Sequence, residues 1–283
     1  MYEFYGLNFK SDLDLSSIGC PNNEDGDYQI KVTIKDNLLD SPKHEYCIGE
    51  KLSYFYKENI ALFEVVEGVE INIYPSKNYS TLLAAETFLN FPLALCMSQR
   101  GYLVLHASSA YKDDICVTFS GKSHSGKSTL AYGFKKNGWT IISEDITVID
   151  TNNLLAIPSF PYIKLSDDAK DEFCMKDLQQ LKRSNNSRTG YLMERCASKE
   201  HRLQNIFFLN WNDEINITEM SVDNILRNLY KFSFISDSLD DAKKIIKLSS
   251  NCSFYSLDRP KNFSSIKKIS KILDKINMYK SHL

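Results

Sequence analysis

The chain has 283 residues, of which 43% are hydrophobic and 25% are charged, as is usual for a globular protein. Its formal net charge of −2 gives no reason to expect nucleic acid or an anionic membrane as the main partner. Seven scattered cysteines, no apolar run of about 18 residues and no signal-peptide pattern predict a cytoplasmic protein without disulfides, a zinc site or a membrane span.

The first 80 residues have the pattern of a small β-rich module. Residues 28–34 alternate polar and apolar side chains, which is typical of a half-buried strand. Strand patterns within residues 62–74 flank Glu67-Gly68 and predict a hairpin. We therefore expect residues 1–80 to form an N-terminal domain, for which recognition of a substrate or peptide is a candidate role.

Residues 81–283 are predicted to form a second, α/β domain. Its first segment, residues 81–97, carries too many apolar side chains for a narrow stripe and predicts one largely buried helix. A short strand follows at 102–106 and ends in His106. The later predicted elements are strands at 115–119, 139–143, 146–150, 154–157, 206–209 and 253–257, a helix at 166–182, a mobile loop at Ser184–Gly190, and a terminal helix from about Phe263.

One segment of this domain fits the phosphate-binding loop pattern GxxxxGK[ST]. The predicted strand at 115–119 precedes it, and a helical pattern follows it and closes at Asn137-Gly138. Backbone N–H groups of such a loop cradle phosphates, Lys127 would reach the β- and γ-phosphates, and the Ser128 hydroxyl would ligand Mg²⁺. The sequence therefore predicts ATP and Mg²⁺ as cofactors. The predicted nucleotide-binding residues are Gly121, Lys122, Ser123, His124, Ser125, Gly126, Lys127, Ser128 and Thr129.

Two acids, Glu144 and Asp145, directly follow the predicted strand at 139–143. Open α/β sheets place ligand-handling groups at such strand ends. One carboxylate can support Mg²⁺ while the other orients or deprotonates an attacking hydroxyl; Glu144 is the first choice for the base and Asp145 for the metal. The alternative is an acidic turn between two strands. The spacing alone does not decide whether His106 is a structural histidine or a group that lies beside the γ-phosphate.

Three segments together resemble a known family. Leu105-His106-Ala107-Ser108, then GKSHSGKSTL, then Ser143-Glu144-Asp145 resemble the HPr kinase/phosphorylase superfamily. Within it, the chain is most similar to small HPr-kinase-like proteins found beside peptide-modification genes, including kinases of lasso-peptide precursors. Residues 5–15 and 255–260 resemble that subgroup as well.

The resemblance implies a fold and a site. The fold is α/β, with a P-loop kinase domain built on a central mixed sheet beside the small N-terminal β-rich domain. The site is that of a phosphotransferase in which His106, Lys127, Ser128, Glu144 and Asp145 lie together. Enzymes acting on HPr usually carry Asp-Asp where this chain has Glu-Asp, and both remain carboxylates. The long C-terminal signature of the reverse phosphorolysis reaction has no counterpart, which argues against dephosphorylation and against HPr as the substrate.

The predicted reaction is transfer of the ATP γ-phosphoryl group to a serine hydroxyl of a peptide or protein. A ribosomally synthesised peptide precursor is one such acceptor. Two alternatives stay open from the sequence: a nucleotide-dependent peptide-binding or assembly factor with weak ATPase activity, and a kinase of free serine or another small alcohol. Arg188 is a candidate cation for the phosphates, although basic stretches are more often solvated. Formation of a homo-oligomer also stays open.

Overall fold

A computed structural model of the chain describes residues 1–21, 26–36, 42–175, 178–181, 188–193 and 196–280. These residues form a mixed α/β structure in which helices pack against four β-sheets, two of them mixed. The mixed α/β class predicted from the sequence is therefore confirmed.

The N-terminal sheet is formed by residues 2–75. Its strands lie in the order β1-β2-β3-β7-β6-β5-β4, with parallel pairs β2–β3 and β3–β7. The predicted hairpin is confirmed: Glu67 and Gly68, with φ of 49° and 66°, form a tight turn in which the Val69 N–H donates to the Val66 carbonyl at 3.0 Å. The strands are β1 (Tyr2–Phe4), β2 (Leu7–Ser11), β3 (Ile30–Ile34), β4 (Tyr46–Cys47), β5 (Leu52–Lys57), β6 (Ala61–Val66) and β7 (Glu70–Pro75).

The segment predicted as one helix at 81–97 is instead two helices, α1 (Thr81–Phe88) and α2 (Phe91–Gln99). The Asn90 side chain donates to the Glu86 carbonyl at 2.8 Å, and Pro92, which lacks an N–H, lies in the first turn of α2. These local features explain the break that the apolar pattern concealed.

Both helices pack on the N-terminal sheet and share its apolar core, which contains Phe9, Phe63, Phe88 and Val104. This core contains residues from both sides of residue 80. The division of the chain into two domains at that residue therefore stays a prediction.

No single helix in the described ranges has the length and apolar character needed to span a bilayer. By length and composition alone, the bent pair of α1 and α2 passes the same test, with 41° between the two helices.

The central sheet has the order β11-β9-β10-β18-β20-β19, and its middle strands β10, β18 and β20 are parallel. The sequence did not predict β9, whose antiparallel hairpin with β10 turns at Asp113. The strands are β9 (Ala107–Lys112), β10 (Ile115–Ser120), β11 (Thr140–Ser143), β18 (Asn205–Trp211), β19 (Asn216–Glu219) and β20 (Ser253–Arg259).

Helices cover both faces of the central sheet. On β10, Val117 and Phe119 belong to the apolar core shared with helices α3 and α7, whereas Cys116 belongs to the core shared with α5 and α6. Alternation along the strand thus buries both faces. The helices are α3 (Lys127–Lys136), α5 (Val222–Phe232), α6 (Leu239–Asn251) and α7 (Ser264–Lys280).

Two small sheets complete the described structure, in the orders β17-β13-β12-β8 and β14-β16-β15. Their strands are β8 (Leu103–Leu105), β12 (Thr147–Asp150), β13 (Leu155–Ile157), β14 (Tyr162–Ser166), β15 (Gln179–Gln180), β16 (Arg188–Leu192) and β17 (His201–Arg202).

Two sequence predictions fail in this region. The helix predicted at 166–182 is only α4 (Asp167–Glu172), because Cys174 has a φ of 49° and β15 pairs with β16. The loop predicted at Ser184–Gly190 is wrong for Arg188–Gly190, which pair with β14 inside a sheet. Residues 184–187 lie outside the described residues.

Candidate active site

The topology brings several strand ends to one edge of the central sheet. The parallel strands β10, β18 and β20 end there, at Ser120, Trp211 and Arg259. Because β9 runs antiparallel to β10, with Ala107 opposite Ser120, the residue before β9 lies at the same edge. That residue is His106. A cavity of about 450 Å³ opens at this edge, where open α/β sheets bind ligands.

The loop between β10 and α3 is shaped by left-handed backbone. Gly121, His124 and Gly126 have φ of 148°, 64° and 80°, and Gly126 is the N-cap of α3 without a side-chain cap. The first N–H groups of the helix therefore receive no capping side chain. Within the described residues, the buried hydroxyl of Ser125 also has no hydrogen-bond partner. Unsatisfied donors at a helix N-terminus fit the phosphates of a nucleotide.

Lys127, the first residue of α3, is 6% exposed and folds against this loop. Its Nζ donates to the carbonyl oxygens of Gly121 and Lys122, both at 3.1 Å. Burial lowers the pKa of Lys127 to about 8, and the carboxylates of Asp145 and Glu144 oppose this shift. The ammonium group is thus held beside the loop rather than in solvent.

Glu144 lies beneath the cavity and contacts the start of α3. The Ser128 hydroxyl donates a hydrogen bond to Glu144 Oε1, and both side chains are buried. Burial raises the pKa of Glu144 to about 8, and the neighbouring Asp145 charge raises it further. The hydroxyl and the carboxylate form a pair of oxygen donors close to the helix N-terminus.

Asp145 differs from its neighbour because its carboxylate lines the cavity. Its φ is 63°, which turns the chain sharply between β11 and β12. The His106 ring Nδ1 lies 3.0 Å from the Asp145 carbonyl oxygen and 3.6 Å from its Oδ1. Because a carbonyl oxygen can only accept a hydrogen bond, Nδ1 of His106 carries the proton. Burial lowers the pKa of His106, while the Asp145 carboxylate raises it.

A set of buried hydroxyl groups lies under these residues. Thr147 Oγ1 lies 2.8 Å from both Ser109 Oγ and Ser143 Oγ, and Ser109 Oγ lies 2.7 Å from Thr118 Oγ1. Thr147 also donates to the Ala107 carbonyl at 3.2 Å. The set links β9, β10, β11 and β12 and so fixes the strand ends that carry His106 and the acids.

The structure therefore brings His106, Lys127, Ser128, Glu144 and Asp145 into one region. Most of the predicted nucleotide-binding residues line the cavity as well; they are Ser123, His124, Gly126, Lys127, Ser128 and Thr129. Gly121, Lys122 and Ser125 complete the loop without lining the cavity.

Oxygen donors at this site suit Mg²⁺. Across the described part of the chain, no three or more His, Cys, Asp or Glu side chains are arranged to hold a metal ion by themselves. Mg²⁺ is usually bound by one or two carboxylates together with substrate phosphates and water. Ser128 and Glu144, which are in contact, fit that arrangement, and Asp145 lies beside them.

Several further residues line the cavity: Lys164 belongs to the segment around Pro158 to Lys164 that we expected at its border, Arg188 was given little weight, and Trp211 and Arg259 were missed by the sequence analysis. Arg188 lines the cavity, and its Nη2 lies 3.4 Å from His124 Nδ1 of the loop. Lys164 lines it from β14, within the segment that follows Pro158. Trp211 and Arg259 line it from the ends of β18 and β20. A GxxxxGK[ST] pattern contains no signal for residues that reach the loop from distant positions, as Arg188 reaches His124 across 64 positions and Arg259 reaches Ser125 across 134.

Comparison with known proteins finds matches among solved structures but none in sequence. No family model matches the chain, and no curated protein matches it. Among solved structures, the HPr(Ser) kinase/phosphatase from Coxiella burnetii is similar at 12% sequence identity, with a TM-score of 0.35. The match covers 63% of this chain and 98% of that one. The candidate site is therefore supported by the set of contacts within this chain.

Proposed function

We propose that the protein is an ATP-dependent phosphotransferase that transfers the γ-phosphoryl group to a serine hydroxyl of a peptide or protein in the cytoplasm. One observation carries this proposal: a lysine, a serine, two carboxylates and a histidine meet at a loop that opens a helix. Such a set supplies phosphate binding, metal binding and proton handling within one cavity.

The loop and Lys127 would hold the polyphosphate. Two observations support this role. The N-terminus of α3 has no capping side chain, and the buried Ser125 hydroxyl has no hydrogen-bond partner among the described residues. When bound, Mg·ATP supplies the phosphoryl group and the metal's positive charge. The Ser128 hydroxyl and the Glu144 carboxylate, already in contact, would hold the metal side of the site.

The contacts favour Asp145 as the group that orients or deprotonates the acceptor hydroxyl. Glu144, the first choice from the sequence, is buried behind Ser128, whereas Asp145 lines the cavity beside His106. A base has to lie within hydrogen-bond reach of the proton that it takes. His106 would hold the Asp145 turn in place through its 3.0 Å contact with the carbonyl.

The cavity also bears on the acceptor. A hydroxyl must come within about 3–3.5 Å of the phosphorus, in line with the leaving oxygen. A cavity of about 450 Å³ admits a serine on an extended peptide segment or a small serine-like alcohol, but not a folded helix. Lys164 and Arg188 line it and would bring positive charge to the transferring group.

The test combines product analysis with one variant. The protein is incubated with Mg·ATP and either free serine or serine-containing peptides, and ADP release and the mass gain of one phosphoryl group on the acceptor are measured. Lys127→Ala should lower the transfer rate about a hundred-fold or more, because a charge-assisted contact to the transferring group is lost. Lys31→Ala, on an exposed position of β3, is the matched control and should transfer at the wild-type rate.

Wild-type transfer by Lys127→Ala would exclude the loop as the catalytic phosphate site. ATP turnover that releases phosphate to water with every acceptor tested would instead favour a nucleotide-dependent binding or assembly factor. Labelling of free serine alone would identify the kinase of a small alcohol.

A further inference from the structure

Arg259, the last residue of β20, is a buried cation without an ion-pair partner. It is 2% exposed, and no carboxylate in the described ranges lies within ion-pair distance of its guanidinium. Its Nε has no hydrogen-bond partner there either. Burial lowers the pKa of Arg259 to about 10, and the side chain therefore stays charged at neutral pH. Buried charges are costly unless another group balances them.

The guanidinium contacts the phosphate loop directly. Its Nη2 donates to the carbonyl oxygens of Ser125 at 3.1 Å and Gly126 at 3.3 Å. Its central carbon lies 4.3 Å from the centroid of the Trp211 ring, which stacks against it. A Cβ placed on Gly126 would collide with the Arg259 guanidinium and approach Trp211 to 3.2 Å. This close packing and the φ of 80° favour glycine at position 126.

These contacts determine where the loop N–H groups point. In a trans peptide, the carbonyl of one residue and the N–H of the next point in opposite directions. When Arg259 binds the Ser125 carbonyl, it turns the N–H group of Gly126 the other way, whereas the Gly126 carbonyl also accepts from the Leu130 N–H at 2.9 Å as part of α3. Lys127 Nζ binds two other loop carbonyls, those of Gly121 and Lys122. Two buried cations thus hold the loop carbonyls, and the helix N-terminus stays open.

We infer that Arg259 is a positioning residue for polyphosphate binding: through the Ser125 carbonyl it fixes the N–H group of Gly126 toward the phosphates, and those phosphates balance its charge. This inference rests on the nucleotide site of the proposed function. It assigns the end of β20 and the stacked Trp211 to recognition of the charged part of the nucleotide.

The test measures binding rather than catalysis. Titration calorimetry compares Mg·ATP, AMP and inorganic tripolyphosphate on the wild-type protein and on Arg259→Met, Arg259→Lys and Trp211→Leu. Arg259→Met should weaken Mg·ATP and tripolyphosphate about ten-fold or more, since a charged hydrogen-bonding group is lost, and should weaken AMP less. Arg259→Lys keeps the charge but loses the planar fork and should lie between the two. Trp211→Leu should weaken both polyphosphates by a smaller factor.

Arg227→Met is the matched control, because its side chain is 75% exposed on α5 and does not line the cavity. It should bind every ligand as the wild type does. If Arg259→Met does not unfold cooperatively, Arg259→Lys and Trp211→Leu carry the comparison, and both should still weaken tripolyphosphate binding.

The possible results separate the inference from the proposed function. A wild-type protein that binds neither Mg·ATP nor tripolyphosphate overturns both. Wild-type affinity in Arg259→Lys overturns positioning through the Ser125 carbonyl, and equal losses in Arg259→Lys and Arg259→Met overturn the balance of charge. A loss of the same size for AMP and Mg·ATP also overturns the inference, because a purely structural role would not depend on the number of phosphates.

Discussion

The N-terminal sheet and the central sheet are built from similar strands but bury different side chains. Inside the N-terminal sheet the buried positions are almost all apolar, and among its described strands Ser53 and Asn72 are the buried polar residues. The central sheet and its loops instead bury Ser108, Ser109, Thr118, Ser120, Lys127, Glu144 and Arg259. Burying polar and charged groups lowers stability unless they are paired, and groups with perturbed pKa values cluster at functional sites. The difference indicates that the N-terminal sheet mainly stabilises the fold. The central sheet instead carries buried polar and charged groups that lower stability and form the candidate site.

The largest effect is expected at Asp145. Asp145→Asn keeps the shape of the side chain but cannot accept a proton, and it should lower the transfer rate by about 10²–10⁴ while retaining Mg·ATP binding. Initial rates and calorimetric affinities measure the two effects. Asp12→Asn, in the N-terminal region, is the control and should leave both unchanged. Full activity in Asp145→Asn, with loss of activity in Glu144→Gln, would return the base role to Glu144.

The apolar sheet should show the reverse behaviour. Phe63, on β6, is fully buried in the N-terminal core. Phe63→Ala should lower the free energy of unfolding by about 3–5 kcal/mol, because it leaves a cavity, without changing the transfer rate per folded molecule. Denaturant unfolding and initial rates measure this, with the half-buried Leu62→Ala as a milder control on the same strand. A lower transfer rate per folded molecule in Phe63→Ala would show that the N-terminal sheet takes part in the reaction.

The buried carboxylate should make stability depend on pH. The pKa of Glu144 is raised from 4.5 to about 8 in the folded protein. The folded state therefore binds more protons than the unfolded state between these values, and the free energy of unfolding falls as pH rises from about 5 to 8. Glu144→Gln should remove this component, on the order of a few kcal/mol. Urea unfolding at a series of pH values checks it, and an unchanged slope in Glu144→Gln would exclude Glu144 as the cause.

A smaller effect is expected from the buried hydroxyl set. Thr147→Val keeps the shape of the side chain but leaves Ser109 and Ser143 without one partner each, which should cost about 1–3 kcal/mol of stability. Thr33→Val on β3, a half-buried position of the N-terminal sheet, should change stability by about 0.5 kcal/mol or less. Thermal unfolding compares the two variants. Equal losses of stability in Thr147→Val and Thr33→Val would show that the buried hydroxyl groups of the central sheet contribute no more than a threonine of the N-terminal sheet.

Local sequence signals predicted the elements that local interactions determine. The Glu67-Gly68 turn and the strand, loop and helix around Gly126 follow from residues that lie beside one another in the chain. Strand β9 was missed because its sequence, ASSAYK, shows no alternation of polar and apolar residues. Its buried Ser109 is satisfied by Thr118 and Thr147, which are 9 and 38 positions away.

The candidate site shows the same limit. The loop motif and the acidic pair were visible in the sequence, whereas Arg259 is separated from Ser125 by 134 positions. The division of roles between Glu144 and Asp145 depends on which carboxylate meets Ser128 and which faces the cavity. Neighbouring positions in the chain carry no such information, since a sharp turn sends the two side chains to different environments.

The left-handed backbone at Asp145, with a φ of 63°, bears on how this protein would respond to directed evolution. Glycine adopts this conformation without steric cost, and an aspartate there holds a less stable backbone. A library selected only for heat resistance should therefore accumulate glycine at position 145. Such variants would be somewhat more heat-resistant and would have lost the carboxylate, so any selection on this protein has to score activity alongside heat resistance.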